Sequence, residues 1–258
     1  MVTVSVIGCG NMGSALIAGL SRAGGHEIVA ADLDTDALAA VEEHCTRTTT
    51  DPSEADDSEV VFVAVKPDIV GAVLDDIDVP AESVLVTIAA GVTTDYVAPR
   101  TDAQVVRLMP NLAAETGTMA GAVAGDPVPD VVRDLLADLG EYAEIEESLM
   151  DTATALNGSG PAFVFYLVAA MRDGAVAEGM DREAAETLAA QTFKGAAETV
   201  LRSDRSIEEL IDAVCSPNGT TIEGMESLWD SPVEDEVAAA VEAAARRSRE
   251  LSAEVGDE

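Results

Sequence analysis

Lysine is nearly missing from this 258-residue chain: Lys66 and Lys194 are the only two, beside 12 arginines and 49 acidic residues. The net charge of −35 repels phosphate, which excludes nucleic acid and anionic membrane surfaces as natural partners. Residues 1–150 carry 27 acids and 6 bases, and residues 151–258 carry 22 and 8, so the acid is not an appended tail. An acidic, lysine-poor surface is the usual compositional answer to concentrated salt, where charge is screened within about 3 Å at 1 M. The chain therefore reads as salt-adapted. Cysteine is scarce too: Cys9, Cys45 and Cys215 are odd in number and lack paired metal spacing, which fits a reducing compartment better than a disulfide framework. No long apolar run is present. The longest, residues 161–171, is too short to span a bilayer, and the apolar N-terminus runs straight into a glycine loop, unlike a signal peptide. A soluble cytoplasmic protein is expected. With 48% hydrophobic residues and a mean hydropathy of +0.18, there is ample material for a core, and a disordered acidic chain is excluded.

The chain has two styles. From residue 1 to about 150, continuous apolar runs of strand length (2–7, 28–31, 60–65, 84–88 and 105–109) alternate with helical stretches (11–23, 35–44 and 67–74). Buried strands alternating with helices predict an α/β fold with a Rossmann-like, doubly wound parallel sheet. From about 151 to 258 the strand signals stop, and residues 161–178, 181–200, 207–215 and 233–254 read as helices. Gly158-Ser159-Gly160 forms a flexible entry, with Pro161 at a first helical position. A helical half of about 100 residues makes a thin core, so subunit association is expected.

Gly8-Cys9-Gly10-Asn11-Met12-Gly13 is a G-x-G-x-x-G loop that follows the first strand and opens the first helix. Its glycines permit a tight turn, close approach of a pyrophosphate and strand–helix packing, while the helix N-terminus supplies unpaired N–H donors. That pattern in that context predicts dinucleotide binding. Cys9 reads as a small filler and not as a reactive thiol. Asp32 ends the second strand, where a carboxylate accepts from ribose hydroxyls and repels a 2′-phosphate. Leu33, Asp34 and Thr35 follow with no arginine among them. The expectation is NAD(P)H, with NADH slightly favoured over NADPH; the alternative is one more surface acid. Two further strand ends are candidates for the cofactor crevice: Ala64, Val65, Lys66 and Pro67, and Ala89 with Ala90. Lys66 either lines that crevice or is a solvated turn cation. Arg107-Leu108-Met109-Pro110-Asn111 either shapes the floor near the nicotinamide or is a turn.

In the helical half, Thr154 to Phe163 and Cys215-Ser216-Pro217-Asn218-Gly219-Thr220-Thr221-Ile222 place small residues just before helices. Each makes a nest of backbone N–H groups suited to a carboxylate, or else ordinary caps. The order of these segments resembles the pyrroline-5-carboxylate reductase family across nearly the whole chain, and the serine-proline-glycine-threonine loop is its most specific signature. The resemblance implies a Rossmann domain (1–150) followed by an all-helical substrate-binding and dimerisation domain (151–258). It also implies self-association as a dimer or a pentamer of dimers. The implied reaction is reduction of L-1-pyrroline-5-carboxylate to L-proline by NAD(P)H. Substrate-binding falls on Ser216, Gly219, Thr220 and Thr221, with Glu147 near the domain junction. The catalytic positions are Thr221, toward the ring nitrogen, and Ser216. The departures are Asn218 for a glycine, Cys215 for a hydroxyl residue, and Asp32-Leu33 for an asparagine-arginine pair. His26 and His44 lie in the first βαβ region, which excludes a histidine-based hydroxyacid dehydrogenase. The β-hydroxyacid dehydrogenase group needs a lysine in the helix after the junction, and residues 157–171 contain none. A nucleotide-binding scaffold without turnover would not require the 216–221 loop.

Overall fold

The computed structural model describes residues 1–256. Eight strands form one sheet: β1 (Val2–Ile7), β2 (His26–Ala31), β3 (Arg47–Thr49), β4 (Val60–Val63), β5 (Val84–Thr87), β6 (Gln104–Met109), β7 (Met119–Ala124) and β8 (Gly140–Glu144). Their order is β3-β2-β1-β4-β5-β6-β7-β8. Every neighbouring pair is parallel except β6 with β7, which run antiparallel with Met109 opposite Ala122. The sheet is therefore mostly parallel. The expected strands are all present within two residues of their bounds. β3, β7 and β8 add to them; the first is only three residues long, the second is small-residue MAGAVA and the third is polar GEYAE, so none offers a long apolar run.

The apolar runs arise because both faces of the central strands are covered. On β4, Val60 and Phe62 point into one core and Val61 and Val63 into the other. The first core takes Leu16, Ile17 and Leu20 of α1 (Asn11–Ala23), together with Leu38 and Val41 of α2 (Thr35–Val41). The second takes Val70 and Leu74 of α3 (Val70–Asp76) and Val97 of α4 (Thr94–Val97). The first also takes Leu135, Leu136 and Leu139 of α5 (Asp130–Leu139).

A helical stretch then runs from Glu147 to Ala177, long and apolar enough by length and composition alone to cross a membrane. It comprises α6 (Met150–Ala153), a π-turn at Thr154–Gly158, and α7 (Gly160–Ala177). The Gly158-Ser159-Gly160 segment was expected to be a flexible loop. Instead the Ser159 N–H donates to Thr154 O at 2.9 Å, and the Thr154 hydroxyl to Met150 O at 2.8 Å, which carries the helical path through it. Three more helices, α8 (Arg182–Arg202), α9 (Ile207–Val214) and α10 (Thr220–Trp229), precede α11 (Val233–Gly256).

Two compact units result: residues 1–159 with the stretch from Glu242 onward, and Gly160–Val241. In the second unit only Ala185 and Ala189 are buried hydrophobics, while Phe165, Tyr166, Leu201 and Trp229 are exposed. Its own core is thin, as its amphipathic sequence predicts.

Candidate active site

The glycine loop is built by contacts that allow no side chain at two of its three glycines. Gly8 adopts φ +103°, and a Cβ there would sit 2.7 Å from Ala64 O. At Gly13 a Cβ would meet Gly8 O at 1.9 Å, which is the close strand–helix packing the motif requires. Gly10 differs, since nothing lies within 4 Å of its Cβ position. It caps α1 with no side-chain bond, and α1 has no acid in its first turn. The first intrahelical bond runs from Ser14 N–H to Gly10 O at 2.9 Å. The N–H groups of Asn11, Met12 and Gly13 therefore precede the helical ladder, beside the open position at Gly10. This is a fitting cradle for a pyrophosphate.

Asp32 lies beside this loop and is half-buried. Its Oδ2 accepts from the Cys9 N–H at 2.6 Å and its Oδ1 from the Asp34 N–H at 2.9 Å. The carboxylate thus braces the loop, a role with no signal in the sequence beyond its position at the end of β2. Burial, and then the Asp32 carboxylate and Cys45, push the Cys9 thiol up to about 12; all three cysteines are free. Ala64 follows β4 and donates its N–H to Ile7 O at 2.7 Å. Val65 and Pro67 are half-buried, and Lys66 is exposed and outside every ion pair among the described residues. Ala89 is buried after β5 and Ala90 half-buried. The candidates Gly8, Gly10, Asn11, Met12, Gly13, Asp32, Ala64–Pro67, Ala89 and Ala90 thus all follow the C-terminal ends of β1, β2, β4 and β5. These are contiguous strands in the sheet, and strand C-termini are where doubly wound sheets take ligands.

Glu147 belongs to the same unit but is fully engaged. It accepts from Thr94 N–H at 2.8 Å, from the Thr94 hydroxyl, and from Arg107 at 3.2 Å. Arg107 is only 4% exposed, so the pair neutralises a buried guanidinium on β6. Asn111, after β6, accepts from the Ala113 and Ala120 N–H groups and donates to Asn157 O at 3.1 Å. Asn157 answers from the π-turn, donating to Met109 O at 2.7 Å and Ala120 O at 2.8 Å. These two carbonyls lie at and beyond the end of the β6–β7 ladder. The sequence marked both asparagines as parts of motifs, yet nothing in their spacing indicated that they bond each other.

Ser216, Gly219, Thr220 and Thr221 belong to the second unit, between α9 and α10. Asn218 there has φ +59°, the left-handed backbone that asparagine tolerates in place of glycine. Gly219 caps α10 without a side-chain bond, and a Cβ on it would come within 2.3 Å of the Ser216 Oγ. Its N–H donates to Ser216 O at 2.9 Å. Ser216 and Thr220 are exposed and Thr221 is half-buried. The start of α10 thus presents hydroxyls and first-turn N–H donors suited to a carboxylate. No group of three or more metal-ligating side chains occurs among the described residues.

Residues 3–91 match the family model described as NADP oxidoreductase, coenzyme F420-dependent. Residues 147–251 match the model described as pyrroline-5-carboxylate reductase dimerisation. Over 262 residues the chain is 38% identical to the pyrroline-5-carboxylate reductase of Methanosarcina acetivorans, covering 96% of this chain and 97% of that protein. The crystal structure of Plasmodium falciparum pyrroline carboxylate reductase with NADP bound aligns with a TM-score of 0.83 and 28% identity, over 97% of this chain and 98% of that one. A pyrroline-5-carboxylate reductase from Coxiella burnetii aligns with a TM-score of 0.87 at 28% identity and the same coverage. With the glycine cradle in one unit and the Ser216–Thr221 loop in the other, this chain belongs to the pyrroline-5-carboxylate reductase family.

Proposed function

We propose that the protein reduces L-1-pyrroline-5-carboxylate to L-proline with NAD(P)H, the last step of proline biosynthesis. The observation that carries this reading is the Ser216–Thr221 loop with left-handed Asn218, in a chain aligned end to end with reductases of that name. Bound NAD(P)H supplies the hydride. The Asn11, Met12 and Gly13 N–H groups hold its pyrophosphate, Asp32 its adenosine ribose, and the 64–67 and 89–90 segments flank it. Ser216, Gly219, Thr220 and Thr221 hold the substrate carboxylate, and the Thr221 hydroxyl hydrogen-bonds the ring nitrogen. A protonated ring imine is already an electrophile, so the work left to the protein is orientation of the reacting carbon. Asp32 with no neighbouring arginine supports NADH over NADPH. The division of labour runs near residue 150, with dinucleotide binding before it and substrate binding and dimerisation after it.

The exposed apolar side chains of the helical unit and the match to a dimerisation model support self-association, as a dimer at least. The 147–177 helix is then an interface helix and not a membrane span, in a cytoplasmic enzyme. The test is oxidation of NADH and of NADPH by pyrroline-5-carboxylate in molar KCl, with Thr221→Ala alongside. Turnover that falls in Thr221→Ala is expected. No turnover with either coenzyme defeats the reading.

A further inference from the structure

Two carboxylates with no part in hydride transfer stand four residues apart, Glu147 on the 3-10 turn that leads into α6 and Asp151 on α6 itself. Glu147 grips Thr94 by its N–H and its hydroxyl and pairs with buried Arg107. Asp151 Oδ1 accepts from the Ser248 hydroxyl at 2.6 Å and the Ser252 hydroxyl at 2.9 Å, both on α11. Ser248 is only 7% exposed, so this is a built contact and not a surface encounter. Both carboxylates lead to the same segment. Thr94 closes the loop that follows β5, and the Ser252 backbone presses on its turn: a Cβ built on Gly91 would lie 3.0 Å from the Ser252 Cα. Gly91 itself holds φ +81°, and the Val92 N–H bonds Ala89 O at 3.3 Å. The loop so held begins at Ala89 and Ala90.

We infer that Glu147 and Asp151 are positioning residues for the coenzyme. Through Thr94 and through the end of α11 they fix the 89–94 loop in the shape that meets NAD(P)H. The inference rests on the proposed placement of Ala89 and Ala90 against the coenzyme. It gives α11 a second task, as a buttress of the coenzyme edge, separate from any contribution to association. It also gives Glu147 a role that runs through Thr94 and Arg107 rather than through a direct substrate contact.

The full-length protein is titrated with NADH and NADPH by fluorescence in the absence of imine, and KM is measured for coenzyme and imine separately. Asp151→Ala removes the acceptor of two hydroxyl bonds, which predicts coenzyme binding weaker by about 5- to 30-fold. KM for the imine should stay within about twofold. Asp151→Asn keeps an acceptor oxygen and should recover most of the affinity. Ser252→Ala, which leaves the Ser248 bond in place, serves if Asp151→Ala does not fold; it should weaken coenzyme binding by about threefold or more. Ala90→Val separates the two layers of the argument. If it leaves coenzyme binding unchanged, the placement of the loop against the coenzyme fails, and the inference with it. If Ala90→Val weakens binding but the Asp151 and Ser252 variants do not, or if they shift both KM values alike, the buttress alone is overturned.

Discussion

The three loop glycines are expected to fail in different ways when each is replaced by alanine. Gly10 has a negative φ of −67° and an empty Cβ position, so Gly10→Ala costs only the poorer N-cap, about 1 kcal/mol. For a chain of this size that lowers Tm by about 2–4 °C. The same methyl stands where phosphate oxygens must approach the backbone. Losing one or two charge-assisted bonds, at about 1.5–3 kcal/mol each, predicts coenzyme affinity lower by roughly 10- to 100-fold or more. Gly13→Ala reverses the pattern. Its Cβ would lie 1.9 Å from Gly8 O, so β1 and α1 must separate by more than 1 Å. That puts the loss with the larger overpacking penalties, about 3 kcal/mol or more. Gly8→Ala adds strain at φ +103° to a 2.7 Å approach to Ala64 O and should also melt early. Thermal melts and NADPH fluorescence titrations of the three variants are the assay. A Gly10→Ala protein that binds coenzyme within twofold of wild type would refute the phosphate cradle, and one less stable than Gly13→Ala would refute the packing account.

Asp32→Asn removes the charge and keeps one acceptor oxygen, for either the Cys9 or the Asp34 N–H group, so the NADPH-to-NADH ratio of kcat/KM should rise by about tenfold; an unchanged ratio removes Asp32 from coenzyme choice. Cys9 should resist iodoacetamide at pH 8 in the folded protein and react in urea. Its folded value is raised from 9.0 to about 12, so the unfolded chain ionises first. Cys9 therefore leaves stability flat below about pH 9 and lowers it as pH rises from there toward 12, a trend that urea midpoints read directly. Tm should climb with molar KCl as the 49 acids are screened, and a Tm that does not climb removes the salt-adaptation reading.

The strands legible in the sequence were those buried on both faces, because continuous apolar runs such as 60–63 have no other easy home. β8 escaped notice because a strand with one exposed flank need not be apolar, and MAGAVA in β7 carries too little bulk to announce itself. The glycine loop was legible as a motif, yet the difference between filled positions at Gly8 and Gly13 and the open one at Gly10 depends on Ala64 and on the path of α1. Asp32 was placed by its distance along the chain; its bonds to Cys9 and Asp34 N–H groups required the fold. Glu147 with Thr94 and Arg107, and Asn111 with Asn157, lie 40 to 53 residues apart in sequence. Long-range polar pairing of this kind leaves no periodicity to read. The π-turn at Thr154–Gly158 was hidden by its glycines, which locally favour a loop, while Asn157 bonds to Met109 and Ala120 favour an ordered turn.

The ends of the sheet carry a consequence for how copies of this chain meet. An unpaired strand invites another molecule to continue the ladder. One border, β3, is three residues long and so offers few free N–H and C=O groups. The other, β8, exposes Glu141 and Glu144, and a second copy approaching edge to edge would bring the same carboxylates against them. Concentrated salt weakens that repulsion, so at high ionic strength the brevity of β3 and the pairing of Glu144 with Arg133 at 2.6 Å matter more. Strand-to-strand aggregation is thus discouraged at both borders, and assembly is steered toward the helices.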